Sequence, residues 1–268
     1  MLPANVHSPA FFHKRLRRAL KRLGASRAYD ISSFGKIGAF DLYYFCKPEK
    51  IDPDKKNILI AGGFHGDEPA GSWGIVRFLE TANDADLNGA NLCFLPLVNP
   101  TGFASNRREN DWHEDPNQGF GTDGKTPSHE GLLLLAHLDE LLKAASDGFL
   151  SLHEDPEVQK GYVWTNEPAE KAPTAFTTGL RDVVSRHFEI FSGDMPHRGG
   201  SFEIKDGIGF NCVDNSFESL LIKNGVPRAA ATESPADSAV PVKERIRCNK
   251  DLIRAFIATP SMNRGKIC

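Results

Sequence analysis

Asn57-Ile58-Leu59-Ile60-Ala61-Gly62-Gly63-Phe64-His65-Gly66-Asp67-Glu68 is the stretch on which the reading of this chain turns. Its first half is a short apolar run closed by glycines, which reads as a parallel strand buried on both faces. Its second half sets an imidazole and a carboxylate three residues apart in a glycine turn, where the backbone can bend sharply enough for both to face one point. Helical sequence follows over residues 71–80, with Ile75, Val76 and Leu79 on one face.

The same pattern extends outward. Upstream, residues 39–45 alternate as a strand does. Downstream, residues 91–98 read as the next strand, broken by Asn99-Pro100-Thr101-Gly102. Residues 103–127 look irregular, and a loop that long within a compact domain is usually functional. Residues 129–145 read as one helix and residues 148–152 as a strand delivering His153. Helical signal returns over 174–191, and the glycine-rich stretch 193–211 reads as a surface loop. Residues 214–223 suggest a helix capped by Asp214 or Asn215 and stopped by Asn224-Gly225. A small-residue strand over 228–232 ends at Glu233, and a closing helix spans 242–258.

This alternation predicts an α/β fold with a mostly parallel sheet covered on both faces. The chain shows no linker, so one domain over 1–268 is expected, with a basic helical segment within 1–35 packed on it. In such sheets ligands bind beyond the carboxyl ends of the strands. His65, Asn99, His153 and Glu233 each fall just after an expected strand end, and they should therefore meet on one rim.

Composition narrows the function. The 268 residues carry a formal net charge of −3, which argues against a nucleic-acid partner. The basic run His13-Lys14-Arg15-Leu16-Arg17-Arg18-Ala19-Leu20-Lys21-Arg22 reads as a solvated helix face with Leu16 and Leu20 turned inward. No secretory signal pattern and no apolar run of membrane-spanning length is visible. Five cysteines, 46, 93, 212, 248 and 268, are widely spaced without a Cys-x-x-Cys pair. They suggest reduced thiols in a cytoplasmic protein, with Cys93 and Cys212 in the core.

A catalytic zinc site takes two or three imidazoles or carboxylates and leaves a position for water. His65, Glu68 and His153 supply such a set, for one zinc ion per chain. Two neutral nitrogens and one carboxylate neutralise half the ion's charge, so a bound water stays acidic. His137-Leu138-Asp139-Glu140 has the same spacing as the motif at 65, but within a leucine-rich helix it reads as a solvated face. Glu154 or Asp155 could orient a ligating imidazole. Glu233, closing an otherwise small-residue strand, is placed to take and return a proton.

Gly63-Phe64-His65-Gly66-Asp67-Glu68, Asn99-Pro100-Thr101-Gly102-Phe103, Ser151-Leu152-His153 and Thr232-Glu233-Ser234-Pro235 together resemble the signatures of the zinc carboxypeptidase superfamily. That superfamily includes carboxypeptidase A-like enzymes, murein peptide amidases and the aspartoacylase and succinylglutamate desuccinylase group. The resemblance spans roughly residues 57–237. It implies a three-layer α/β/α fold with a mixed sheet of about eight strands. It also implies zinc held by His65, Glu68 and His153, with Glu233 as general base and acid.

By the same resemblance Arg108 would polarise the scissile carbonyl, with Arg107 as the neighbouring candidate. Asn117 and Gln118 would contact substrate. Gln118 stands where the family carries an arginine that grips a substrate carboxylate, and glutamine brings no charge and no bidentate fork. Either another cation such as Arg198 substitutes, or the substrate has no free carboxylate there. The family's substrate-binding tyrosine has no counterpart in residues 193–211. The expected activity is hydrolysis of an amide bond in a small peptide or an N-acyl amino acid. An inactive metal- or ligand-binding protein on the same fold is the rival from another class.

Overall fold

The computed structural model describes residues 6–23, 30–46, 52, 54–121, 124–197, 200–236 and 239–260. An eight-stranded mixed sheet forms the middle layer. Its strands are β1 (Asp30–Ile37), β2 (Phe40–Cys46), β3 (Lys56–Gly62), β4 (Ala90–Leu95), β5 (Gly148–Asp155), β6 (Tyr162–Asn166), β9 (Ile208–Phe210) and β10 (Ala229–Pro235). They lie in the order β1-β2-β4-β3-β5-β10-β6-β9. The four central strands β4, β3, β5 and β10 run parallel, while β2 and β6 flank them antiparallel. A separate hairpin pairs β7 (Gly193–His197) with β8 (Gly200–Ile204).

The pleat of β3 explains the two cores. Ile58 and Ile60 face one side, packing with α1 (Pro9–Arg22), α2 (Pro69–Thr81), α7 (Ala175–Ser185) and α9 (Val242–Ala258). Leu59 and Ala61 face the other, packing with α5 (His129–Ala136), α6 (Leu138–Ala144) and α8 (Phe217–Lys223). A strand buried on both faces must be apolar at successive positions, and the sequence of β3 is. Short helices α3 (Asp84–Asn88) and α4 (Pro100–Ser105) flank β4.

The basic run forms α1, and Leu16 and Leu20 are buried as expected. Arg15 Nε donates to Glu80 at 3.0 Å, and Arg17 donates to the Tyr43 hydroxyl at 2.9 Å. Residues 30–35 of the N-terminal segment are not helical but belong to β1, which pairs antiparallel with β2 and forms an edge of the sheet.

Other expectations need correction. The helix over 129–145 breaks at His137 (φ −112°, ψ 18°), whose ring stacks on Phe34 at 3.9 Å. His137 also lies 3.6 Å from Glu140, the structural role expected of that decoy motif. The stretch expected as a surface loop instead carries β7, β8 and β9 among its described residues, and β9 pairs with β6 in the main sheet. Helix α8 starts at Phe217 under Ser216, because Asp214 accepts from Ser216 N and the Ser219 hydroxyl instead of capping.

The cysteine reading also changes. Cys46 and Cys93 are joined in a disulfide, with their Cα atoms 4.2 Å apart. The cause is the β2–β4 pairing, which makes them register partners despite a sequence separation of 47. The argument for a reducing compartment therefore loses its basis. Cys93 is in the core, whereas Cys212 is half-buried. Among the described residues, no helix is long and apolar enough to cross a membrane.

Arg228 closes the fold at the carboxyl-terminal side. Its guanidinium is buried, lies 4.9 Å from the Phe176 ring centre, and donates to the carbonyls of Asp147 and Pro260 at 3.1 Å each. Arg228→Ala removes the stacking and strands two carbonyls. It should lower stability by about 3 kcal/mol, read from urea unfolding midpoints at unchanged m-value.

Candidate metal centre

The site lies where the strand order reverses. From β3 the chain passes through α2 to β4 on one side, and β5 occupies the other side. Loops leaving the carboxyl ends of β3 and β5 therefore diverge and open a crevice.

The turn after β3 is built by glycine. Gly63 sits at φ +68°, in the left-handed region that side chains with a Cβ avoid. A Cβ on Gly66 would lie 2.0 Å from the Gly102 carbonyl carbon and 2.1 Å from Phe103 N. Both neighbours are backbone and cannot swing aside. Gly66→Ala should destabilise the protein by about 3 kcal/mol and weaken metal retention, checked by thermal unfolding and by metal analysis of the same preparation.

Glu68 stands immediately before α2, whose first residue is Pro69. Its carboxylate meets both imidazoles through their Nδ1 atoms: His65 at Oε1 (2.7 Å) and His153 at Oε2 (2.9 Å). One donor atom from each residue lies within 4.8 Å of the others, and all three side chains are buried. Burial alone would raise the Glu68 carboxyl, but His65 and His153 hold it well below the usual range. Burial would lower both imidazoles, and Glu68 raises them instead. A buried carboxylate here calls for positive charge, which a divalent cation could supply in place of ring protons.

The outer ring nitrogens are also held. His65 Nε2 faces Asp115 Oδ1 at 3.2 Å. His153 Nε2 faces the Ser151 hydroxyl at 2.8 Å and Glu218 Oε1 at 3.4 Å. Imidazoles fixed through one nitrogen leave the other aimed at a metal, which is the arrangement metal sites use. The orienting groups are not Glu154 or Asp155. Glu154 accepts from Ala70 N at 2.6 Å and pairs with Arg245, and Asp155 accepts from the Tyr162 hydroxyl and from Glu157 N at 2.7 Å. Asp115 and Glu218 were missed because an irregular loop and a helix deliver them. The only sequence signal was Asp115 standing two residues before Asn117.

Glu233 lies inside β10, one register step across from His153 on β5 and from Tyr162 on β6. Enclosure by protein pushes its carboxyl up to about 8, with His153 opposing and Glu68 and Asp155 reinforcing. Arg108 comes from the loop after α4. Its carbonyl accepts from Gly66 N at 3.3 Å and from Asn99 Nδ2 at 3.0 Å, so Asn99 ties this loop to the turn after β3. The Arg108 guanidinium reaches Glu68 and Asp115 at 3.4 Å each while staying half exposed. Arg107 points instead to Asp111 at 2.7 Å on the surface.

Asn117 lines the cavity and is held by α8. Its Nδ2 donates to Glu218 at 3.1 Å, and its Oδ1 accepts from Phe217 N at 3.0 Å. Gln118 lines the same cavity. Arg198 lies outside the described residues. The cavity, of about 490 Å³, joins His65, Glu68, His153, Arg108, Gln118 and Glu233. Tyr162 and Trp164 of β6 also line it, and residues 193–211, which hold no tyrosine, contribute Phe202 of β8.

An α/β sheet with a buried His–Glu–His cluster in its carboxyl-end crevice defines a protein of the metallo-carboxypeptidase fold class. A metallo-carboxypeptidase of Pseudomonas aeruginosa, solved with (2-guanidinoethylmercapto)succinic acid, superposes at TM-score 0.63 and 17% identity, covering 93% of this chain and 68% of that one. Two proteins described provisionally as metallopeptidases are far more similar. That of Shewanella baltica gives TM-score 0.86 at 34% identity, covering 94% and 92% of the two chains; that of Shewanella amazonensis gives 0.86 at 35%, covering 94% and 93%. Residues 54–154 match the succinylglutamate desuccinylase/aspartoacylase catalytic domain. No curated protein matches the chain in sequence. The chain belongs to the zinc carboxypeptidase superfamily.

Proposed function

We propose that the protein is a hydrolase that cleaves an amide bond with one zinc ion held by His65, Glu68 and His153. The observation that carries this is the convergence of those three side chains with Glu233 and Arg108 on one cavity. Bound there, zinc would act as a Lewis acid toward water and toward the substrate carbonyl. Glu233 takes a proton from the attacking water as oxygen adds to the carbonyl carbon. It then delivers that proton to the nitrogen as the C–N bond breaks, releasing a carboxylate and an amine. Arg108 donates to the carbonyl oxygen as negative charge develops on it. Asp115 and Glu218 hold the imidazole rings in place.

The match to the desuccinylase/aspartoacylase domain supports a second reading, deacylation of an N-acyl dicarboxylic amino acid. Assaying the zinc-loaded chain against short peptides, peptide amides and N-acyl amino acids separates the two. Turnover confined to acyl-dicarboxylates would favour the second. Stoichiometric zinc with no hydrolysis across the panel would leave only a binding protein.

A further inference from the structure

Helix α2 begins without a cap of its own. Glu68 occupies the capping position but makes no capping bond, its carboxylate being turned to His65 and His153. Pro69 has no N–H, so Ala70 carries the first amide of the helix, and a buried amide needs a partner. That partner comes from β5, where Glu154 Oε2 accepts from Ala70 N at 2.6 Å. The Glu154 main-chain amide meanwhile donates to Glu68 Oε2 at 3.1 Å. One residue therefore grips the turn twice: its amide holds the Glu68 carboxylate, and its own carboxylate holds the chain two residues later.

The Glu154 side chain is fully buried, and a second carboxylate beside Glu68 is costly there unless a cation meets it. Arg245 of α9 does so, its Nη1 pairing with Glu154 Oε1 from a mostly buried position. Gly74 of α2 makes room for this approach. A Cβ on Gly74 would lie 2.5 Å from the Asn249 Cβ, so α9 comes this close to α2 only over a glycine. Gly74 stands one turn beyond Ala70, and Asn249 stands one turn beyond Arg245 and donates to its carbonyl at 3.0 Å. The packing that seats Asn249 on Gly74 thus brings Arg245 over the start of α2. Arg245 is neither in the cavity lining nor in the donor set.

We infer that Arg245 and Glu154 are positioning residues for the metal centre: acting through the Glu68 turn, they set how tightly the ion is held. This rests on the reading of His65, Glu68 and His153 as metal ligands. The physical cause is preorganisation. A carboxylate already fixed by an amide and a clamped backbone loses less freedom when it takes up a cation. Removing a group that orients a ligand costs about tenfold or more in metal affinity.

Zinc affinity of the full chain, measured by chelator competition at fixed pH, tests this without any substrate. Wild type is compared with Arg245→Met, which keeps the buried stem and removes the charge, and with Arg245→Lys. Thermal unfolding in chelator is followed for all three. Arg245→Met should bind zinc at least about tenfold more weakly. Arg245→Lys should lie between the two, because an ammonium restores the charge without the planar fork. A pair that only supports the fold would lower the unfolding temperature and leave zinc affinity alone, since stability lost equally with and without metal does not enter the dissociation constant. Arg245→Lys keeps the comparison alive if Arg245→Met does not fold. Wild-type affinity in either folded variant would overturn the inference and leave the ligand assignment standing. Failure of wild type itself to bind zinc would remove that assignment, and the inference with it.

Discussion

Glu233→Gln should lower amide hydrolysis by about a thousandfold while leaving the zinc content of the protein unchanged. Glutamine preserves the shape and the hydrogen-bonding reach of the side chain but cannot accept and return a proton. The position makes this a clean separation. Glu233 is the register neighbour of His153, close to the metal cluster, yet it is not one of the three residues whose donor atoms converge. Its backbone is locked between β5 and β6, so the substitution has little room to rearrange the strand. Substrate affinity should change little, and the loss should appear in kcat. Near-normal kcat with full zinc would remove Glu233 from proton transfer. Loss of zinc together with activity would instead make it part of the metal cradle.

What the sequence made legible follows from how each residue is delivered. His65 and Glu68 could be read because the strand, the glycine turn and the two donors are contiguous. His153 and Glu233 could be read because apolar strands announce their own ends, although both prove to lie within the strands. Asp115 and Glu218 could not be read this way, since their positions depend on Asn99 pinning the loop at Arg108 and on α8 docking against Asn117. The Cys46–Cys93 bond was hidden for a similar reason: it exists only because β2 adds antiparallel to β4. Strands β7 to β9 are short and each carries a glycine; β7 and β8 support each other as a hairpin, while β9 forms only by pairing with β6, remote in sequence, which a local pattern does not reveal. The break at His137 is tertiary as well, since the leucine pattern runs through it and the ring is claimed by Phe34.

His153→Ala should abolish stable zinc binding and with it the hydrolysis. Removing the ring takes away one of three donors and a partner of Glu68 Oε2, leaving that oxygen, among the described residues, the Glu154 amide at 3.1 Å. It also releases Ser151 and Glu218 from the ring's outer nitrogen, so neighbouring acids lose a common partner in a buried space. Two donors do not hold zinc against dilution or a mild chelator, because structural and catalytic sites alike use at least three protein ligands. The consequence can be read without any substrate. A ligand that binds only the native state raises stability by about 4 kcal/mol when present at a thousand times its dissociation constant. Wild type should therefore unfold at a higher temperature with zinc than with chelator, and His153→Ala should show no such difference. The substituted protein also serves as its own folding control: an unchanged far-ultraviolet spectrum in chelator would show that the metal site alone has been lost. A zinc-dependent shift retained in full by His153→Ala would place the metal elsewhere and detach both His65 and Glu68 from the role their geometry suggests.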